Sequence, residues 1–155
     1  MMPLVTPGEK QALAGAHVDF PAKVSIPSDP CEARRVQEEI EQALKTHHFS
    51  EKDIFGIRLA LEEALINAIK HGNQMDRSKK VVISYHVNAE RFDIHITDEG
   101  IGFDPYDVPD PTAVENLERP CGRGLMLMKH YMSEVTFGPQ GNSFRMYKVS
   151  RNGQA

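Results

Sequence analysis

In the segment 63-EALIN-67 a carboxylate, Glu63, precedes a carboxamide, Asn67, by one turn of any helix that carries both. The amide oxygen of Asn67 is a hard donor suited to Mg²⁺, and a carboxylate one turn away can act as general base or hold a water. Magnesium keeps waters and borrows ligands from phosphates, so one asparagine suffices as the protein's share. A second constellation is 98-DEGIGFD-104, in which Asp98 ends the alternating run 92-FDIHIT-97 and is followed by Gly100 and Gly102. An acid at the lip of a strand, with nearly bare main chain behind it, fits a plain turn. It equally fits a ligand that needs one fixed acceptor and close backbone approach. The third is 119-RPCGRGLMLM-128, where Gly122 and Gly124 immediately precede an apolar helical segment and Arg123 adds a cation. Free N–H groups at a helix start form an anion site, although a loop that merely turns into a helix reads the same in isolation. Together the three supply different parts of a nucleotide site: base recognition, metal and phosphates.

The elements that must position these groups follow from pattern. The helix bearing Glu63 starts at Ser50, with Asp53 three residues on as a capping arrangement, and runs to about His71, where Gly72 and Asn73 signal a stop. At about 100° per residue, with Glu63 at zero, Asn67 lies about 40° to one side and Lys70 about 20° to the other. Leu59 and Ile66 flank that stripe on one side; Ala60, Ala64 and Ile57 flank it on the other. Glu62 falls on a different face with Arg58, at a spacing fit for an exposed ion pair. The stripe either faces water, as charged stripes usually do, or converges on something in a cleft. In both cases Glu62 and Glu63 are not equivalent.

Elsewhere, residues 1–16 read as a loose arm and 18–26 as a short strand. Ser28 or Asp29 can cap a first helix, with Pro30 in its first turn, that runs to about Lys45. Strands over 81–87 and 92–98 are joined by the tight turn 88-NAER-91. Residues 104–121, rich in proline and acids, form an irregular lid-like connection. A helix over 125–132 and strands over 134–138 and 143–149 close the domain. The order predicts an α+β fold, with helices packed on one face of a mixed sheet, in a single domain over 17–150 and a tail at 151–155.

A chain of 155 residues with 40% hydrophobic content suffices for one well-cored domain. A net charge of −4 without any basic run argues against generic nucleic-acid binding. The first residues lack the pattern of a secretory signal, and no stretch reaches membrane-spanning length. Cys31 and Cys121 have no metal-ligand spacing and read as reduced thiols of a cytoplasmic protein.

Across roughly residues 18–149 the chain resembles the gyrase, histidine-kinase and MutL superfamily of ATPases. Its E-x-x-x-N, D-x-G-x-G and G-x-G boxes are matched in order by 63-EALIN-67, 98-DEGIG-102 and 122-GRG-124. Within that superfamily, 62-EEALINAIKHGN-73, 98-DEGIGFD-104 and 122-GRGLMLMKHYMSEV-135 are most similar to the small stand-alone anti-sigma-factor serine kinases. The resemblance implies a histidine-kinase-like ATPase fold with ATP and Mg²⁺ as cofactors. It implies that Asp98 accepts from the adenine amino group and that Asn67 holds the metal. Glu63 becomes the base for the acceptor hydroxyl. Gly100 and Gly102 let main chain pass close to the nucleotide and hinge the lid, and Gly122 and Gly124 approach the phosphates. His71 and Arg123 lie beside matched positions as nucleotide contacts. Relatives place a threonine after the glycine of the final hairpin, where it helps bind adenine; here 141-GNSF-144 offers Asn142 at that place and Ser143 next. The lid is short and acidic, as suits the anti-sigma group.

The implied function is transfer of the ATP γ-phosphate to a serine on a small anti-sigma-factor antagonist, by a protein that also sequesters a sigma factor. Arg34 and Arg35 match the region where relatives contact partners, and a homodimer is left open. No direct contact with nucleic acid or membrane is implied. Two other functions share the same boxes. The ATPase half of a two-component histidine kinase would need a phospho-accepting histidine on an upstream dimerisation helix. His47 and His48, at a helix end before Phe49, do not supply one. An ATP-binding module without transfer is the third.

Overall fold

Alternation builds the sheet. Within 91–97, Phe92, Ile94 and Ile96 are buried while Asp93, His95 and Thr97 stay partly exposed, as a period-two pattern requires. The computed structural model describes residues 22–100 and 120–151, with the side chains of 125–151 in the second stretch. The expected arm over 1–16, the lid over 104–119, Gly102 and the tail beyond 151 lie outside the described residues. The strands are β1 (Ala22–Pro27), β2 (Lys80–Val87), β3 (Arg91–Thr97), β4 (Glu134–Phe137) and β5 (Ser143–Val149). They form one sheet in the order β1-β2-β3-β5-β4.

Every pairing in it is antiparallel, so the sheet is not mixed as the sequence had suggested. For two of the four pairings, β2–β3 and β4–β5, the reason lies in the connections. β2 and β3 are joined by Asn88–Arg91, where the Asn88 N–H donates to the Arg91 carbonyl at 3.0 Å. The β4–β5 turn passes through Gly141, whose φ of 77° is left-handed. Such tight turns reverse the chain and cannot make a parallel crossover.

The helices cover one face: α1 (Pro30–Thr46), α2 (Glu51–Ile66), which continues as a π-turn over Asn67–Gly72, and α3 (Pro120–Tyr131). Asp29 rather than Ser28 caps α1, its carboxylate accepting from the Cys31 N–H at 2.9 Å. Pro30 then supplies a first helical residue with no N–H to satisfy. Ser50 caps α2 through the Asp53 N–H at 3.1 Å. The Asp53 side chain does not reach back to the cap. It is buried, accepting from the Arg151 N–H at 2.9 Å and pairing with the Arg151 Nε at 2.9 Å.

Ala33, Val36, Ile40 and Leu44 of α1 meet Ile57, Ala60, Leu61 and Leu65 of α2 above Val81, Ile83, Phe92, Ile94 and Met146 of the sheet. The two-layer α+β arrangement is therefore the one expected. No helix among the described residues is long and apolar enough to cross a membrane. Cys31 is an exposed free thiol.

Ile94 is central to this layer contact, and truncating it leaves a cavity that rigid neighbours cannot close. Ile94→Ala is expected to lower the unfolding free energy by about 2–5 kcal/mol, read from the midpoint of urea denaturation.

Candidate functional site

The end of β3 and the end of α2 meet at Asp98. A Cβ added to Gly72 would lie 2.4 Å from the Asp98 Cγ, and one added to Gly100 would lie 2.1 Å from the Gly72 carbonyl oxygen. Neither position tolerates a side chain, which is what the bare main chain after Asp98 and the glycine after His71 are for. Within the turn, Asp98 Oδ1 accepts from the Gly100 N–H at 2.7 Å. Burial pushes the Asp98 carboxyl above its ordinary range, and that Gly100 N–H opposes the rise. From the other side, Asn142 brackets the same residue. Its carbonyl accepts from the Asp98 N–H at 2.9 Å and its side-chain amide donates to the Asp98 carbonyl at 3.1 Å. Asn142 thus stands beside Asp98, with its amide already engaged.

Sequence reasoning gave Asn73 a stop signal and a place at the end of 62-EEALINAIKHGN-73, but no role of its own. It is fully buried, donating to the Ser28 Oγ at 2.9 Å and the Lys80 carbonyl at 3.0 Å, and accepting from the Glu99 N–H at 2.7 Å. Neither periodicity nor any box marks it. The signal that existed was a polar residue at a helix end whose neighbours must all be turned.

Along α2 the two glutamates separate as expected: Glu62 is exposed and Glu63 half-buried. Burial pushes the Glu63 carboxyl up, and the like charge of Glu62 adds to the rise. Beyond Ile66 the helix widens. The Asn73 N–H bonds the Ala68 carbonyl five residues back at 2.9 Å, and the Met75 N–H bonds the Ile69 carbonyl at 2.8 Å. A wider turn advances each residue by less than the roughly 100° of an α-helix. That rotation takes Lys70 out of the stripe, where it is exposed, and brings His71 toward it.

The Asn67 Oδ1 and the His71 Nε2 are both buried without a hydrogen-bond partner among the described residues. Burial, and then the charge of Lys70, hold the His71 imidazole below its ordinary value, so it is neutral at pH 7. An orphaned buried amide oxygen is the donor a hard cation takes. The described residues contain no group of three or more His, Cys, Asp or Glu that could hold a metal alone. The donor set therefore fits Mg²⁺ only if phosphates complete it.

Other expectations are redistributed. Arg58 pairs with Glu41 of α1, not with Glu62, because the packing of α1 on α2 brings a carboxylate from the neighbouring helix within reach. That pair draws Glu41 below the usual carboxylate range. A groove of about 350 Å³ between α1 and α2 is lined by Arg34, Gln37, Glu62, Glu63 and Ile66, among others. Arg35 faces solvent and pairs with Glu32 at 3.1 Å. His47 caps the end of α1, and His48 turns with a φ of 64°; neither lies on a helix face.

Gly122, Arg123 and Gly124 do not precede α3 but lie in its first turns. Pro120, with φ preset and no N–H to satisfy, begins the helix there and carries the glycines into it. The Gly122 N–H remains among the free donors of the first turn, while that of Gly124 is placed to bond back to Pro120. α3 packs against α2 and the π-turn.

A half-buried acid at a strand end, an orphaned amide on a widened helix and a third helix packed against that helix and its π-turn thus occur together on this sandwich. The family model for the histidine kinase-like ATPase domain matches residues 26–148, and the chain belongs to this family. Its similar relatives include a serine-protein kinase RsbW of Bacillus licheniformis, 33% identical over 95 residues (56% of this chain, 58% of the relative). A serine-protein kinase RsbW of Listeria innocua is 26% identical over 96 residues, covering 56% and 59%. An anti-sigma F factor of Clostridium perfringens is 32% identical over 87 residues, covering 54% and 61%. The matched region thus spans about three fifths of these relatives' length. The crystal structure of the RsbU and RsbW domains of a Mycobacterium tuberculosis protein shares the fold, with a TM-score of 0.56 at 17% identity over 84% of this chain and 33% of that one.

Gly72→Ala is expected to push the Asp98 turn away and to destabilise the domain by about 1–3 kcal/mol in thermal denaturation. Gly56→Ala meets the Tyr131 side chain, at 2.8 Å from Cδ1, a longer approach than the 2.4 Å at Gly72, so the loss is expected to be smaller.

Proposed function

We propose that this domain binds Mg-ATP along the second half of α2. It transfers the γ-phosphoryl group to a serine on a small anti-sigma-factor antagonist, and acts as an anti-sigma factor toward a sigma factor. The observation that carries the reading is the linear order of groups on one helix. Asp98 touches Gly72 at the helix end, the orphaned Asn67 oxygen lies in between, and half-buried Glu63 comes first. At 1.5 Å per residue, Glu63 and Gly72 are about 13 Å apart along the axis. That is comparable to a nucleotide from its base to its last phosphate. The curated relatives carry kinase and anti-sigma names, in keeping with the proposed substrate and partners.

In this reading the Asp98 carboxylate accepts from the adenine amino group, and Asn142 acts through Asp98 by holding its main chain. Gly100 keeps the turn low beneath the base, and Gly102 would allow the same close approach. Asn67 would hold Mg²⁺, which when bound neutralises charge on the phosphates. His71, neutral, faces the nucleotide with its free Nε2, and Gly122, Arg123 and Gly124 approach the phosphates from α3. The serine Oγ forms a bond to the γ-phosphorus as the bond from that phosphorus to the β–γ bridging oxygen breaks. ADP departs, and the serine proton passes to the Glu63 carboxylate. Burial places Glu63 closer to the working pH than an exposed glutamate, which favours proton transfer. The groove beside Glu63, with Arg34 on its rim, is where the antagonist would present its serine.

Labelled ATP incubated with the protein and an antagonist tests this directly. Label on the antagonist's serine is the expected result. Label on a histidine of the protein itself, or ATP bound without transfer, would replace the reading with a histidine kinase or a binding module.

Asn67→Ala is expected to abolish Mg-ATP binding in calorimetry with an unchanged circular dichroism spectrum. Glu63→Gln should retain ATP binding and lose about 10²–10⁴-fold in transfer rate, whereas Glu62→Gln should keep the plateau rate. The pH dependence has a definite sign. Glu63 works ionised and its carboxyl is raised, so transfer falls as pH drops through that raised value. Removing the Glu62 charge lowers it, and the acid limb of the Glu62→Gln profile should move to lower pH.

A further inference from the structure

We infer that Asn73 is a positioning residue for nucleobase selection, its buried amide holding the turn that aims Asp98. The inference rests on the proposed adenine contact of Asp98. Glu99 is itself exposed, yet its main-chain N–H is taken by the Asn73 oxygen at 2.7 Å, and its carboxylate accepts from the Lys80 N–H at 2.7 Å. The Asn73 amide nitrogen is anchored twice, on the Ser28 Oγ and on the Lys80 carbonyl. Ser28 in turn donates to the Lys79 carbonyl at 2.8 Å. One side chain therefore ties the β1–α1 corner, the start of β2 and the residue next to Asp98 to the end of α2.

The backbone behind it is already bent, with Gln74 and Met75 at φ of 56° and 61°, so Asn73 has a fixed origin from which to hold. On the opposite side, among the described residues, Asn142 holds the Asp98 main chain at both its N–H and its carbonyl. Without Asn73 the Glu99 N–H loses its acceptor, and the turn that carries Asp98 is free to shift and tilt the carboxyl. A tilted carboxyl still accepts a hydrogen bond, but it can take one from the N1–H of guanine as well as from the amino group of adenine.

The test measures dissociation constants of the full chain for Mg-ATP and Mg-GTP, together with exchange of the Glu99 amide. Wild type should prefer ATP and protect the Glu99 amide despite its exposed side chain. Asn73→Ala should lose that protection and shrink the ATP-over-GTP ratio by about tenfold, the worth of one hydrogen bond to a charged group. Asn73→Asp keeps an oxygen for the Glu99 N–H and should restore most of the ratio, although its second oxygen opposes the Lys80 carbonyl and lowers stability. Ile94→Ala, destabilised elsewhere, should keep the wild-type ratio. Equal weakening of both nucleotides in Asn73→Ala would mean a merely structural role and overturn the inference. Free exchange of Glu99 in wild type would do the same, and it decides the matter if Asn73→Ala does not fold. A wild type that binds ATP and GTP alike sinks the base-reading role of Asp98 and this inference with it. A wild type that prefers ATP, beside an Asn73→Ala variant that prefers it equally, sinks the inference alone.

Discussion

The contact on which the rest depends is steric: main chain of the second helix runs against the carboxyl of Asp98 with no atom to spare. Two glycines, Gly72 and Gly100, face each other there, and either one bearing a methyl group would force strand and helix apart. Close approach of a helix end to a strand end has consequences in both directions. The strand end receives a half-buried acid that water does not fully solvate. The helix widens over Asn67–Gly72, and its last residue meets the strand end. The orphaned atoms of Asn67 and His71 lie within that widened stretch. Among the described residues these two atoms have no hydrogen-bond partner, and the same stretch ends at Gly72 against Asp98.

A second division follows from depth. Glu62 and Glu63 are adjacent in sequence and opposite in environment, one exposed and one partly withdrawn from water. Burial raises the Glu63 carboxyl and the neighbouring charge of Glu62 adds to the rise. Arg58, on the face of Glu62, is held by Glu41 across the packing of α1 on α2. A pair of this kind near the surface contributes little to stability.

Much of this was legible in residue patterns, and the failures have physical causes. The alternation of Phe92, Ile94 and Ile96 fixed a half-buried strand because burial on one face leaves no other register. The caps at Asp29 and Ser50 were readable because they are local. The inequality of Glu62 and Glu63 followed from helical geometry alone. Lys70 was misplaced because a constant 3.6-residue period was carried past Ile66, where tertiary contact imposes a π-turn. Arg58 was misassigned because a spacing rule sees one helix and not its neighbour. The start of α3 was set too late, since glycines weigh against a helix in sequence while Pro120 supports one. Asn73 was overlooked as a hub because its partners, Ser28, Lys80 and Glu99, are distant or main-chain and leave no trace in composition.

The buried carboxylate of Asp53 has a bearing on how the chain is made. It stands in the first turn of the second helix, yet the groups that neutralise it, Arg151 and more distantly Lys148, are encoded about a hundred codons later. During synthesis that helix emerges with an uncompensated acid facing its interior, and burying such a charge is costly until its cation arrives. The corner around Asp53 can therefore close only once Lys148 at the end of the last strand and Arg151 just beyond it are in place.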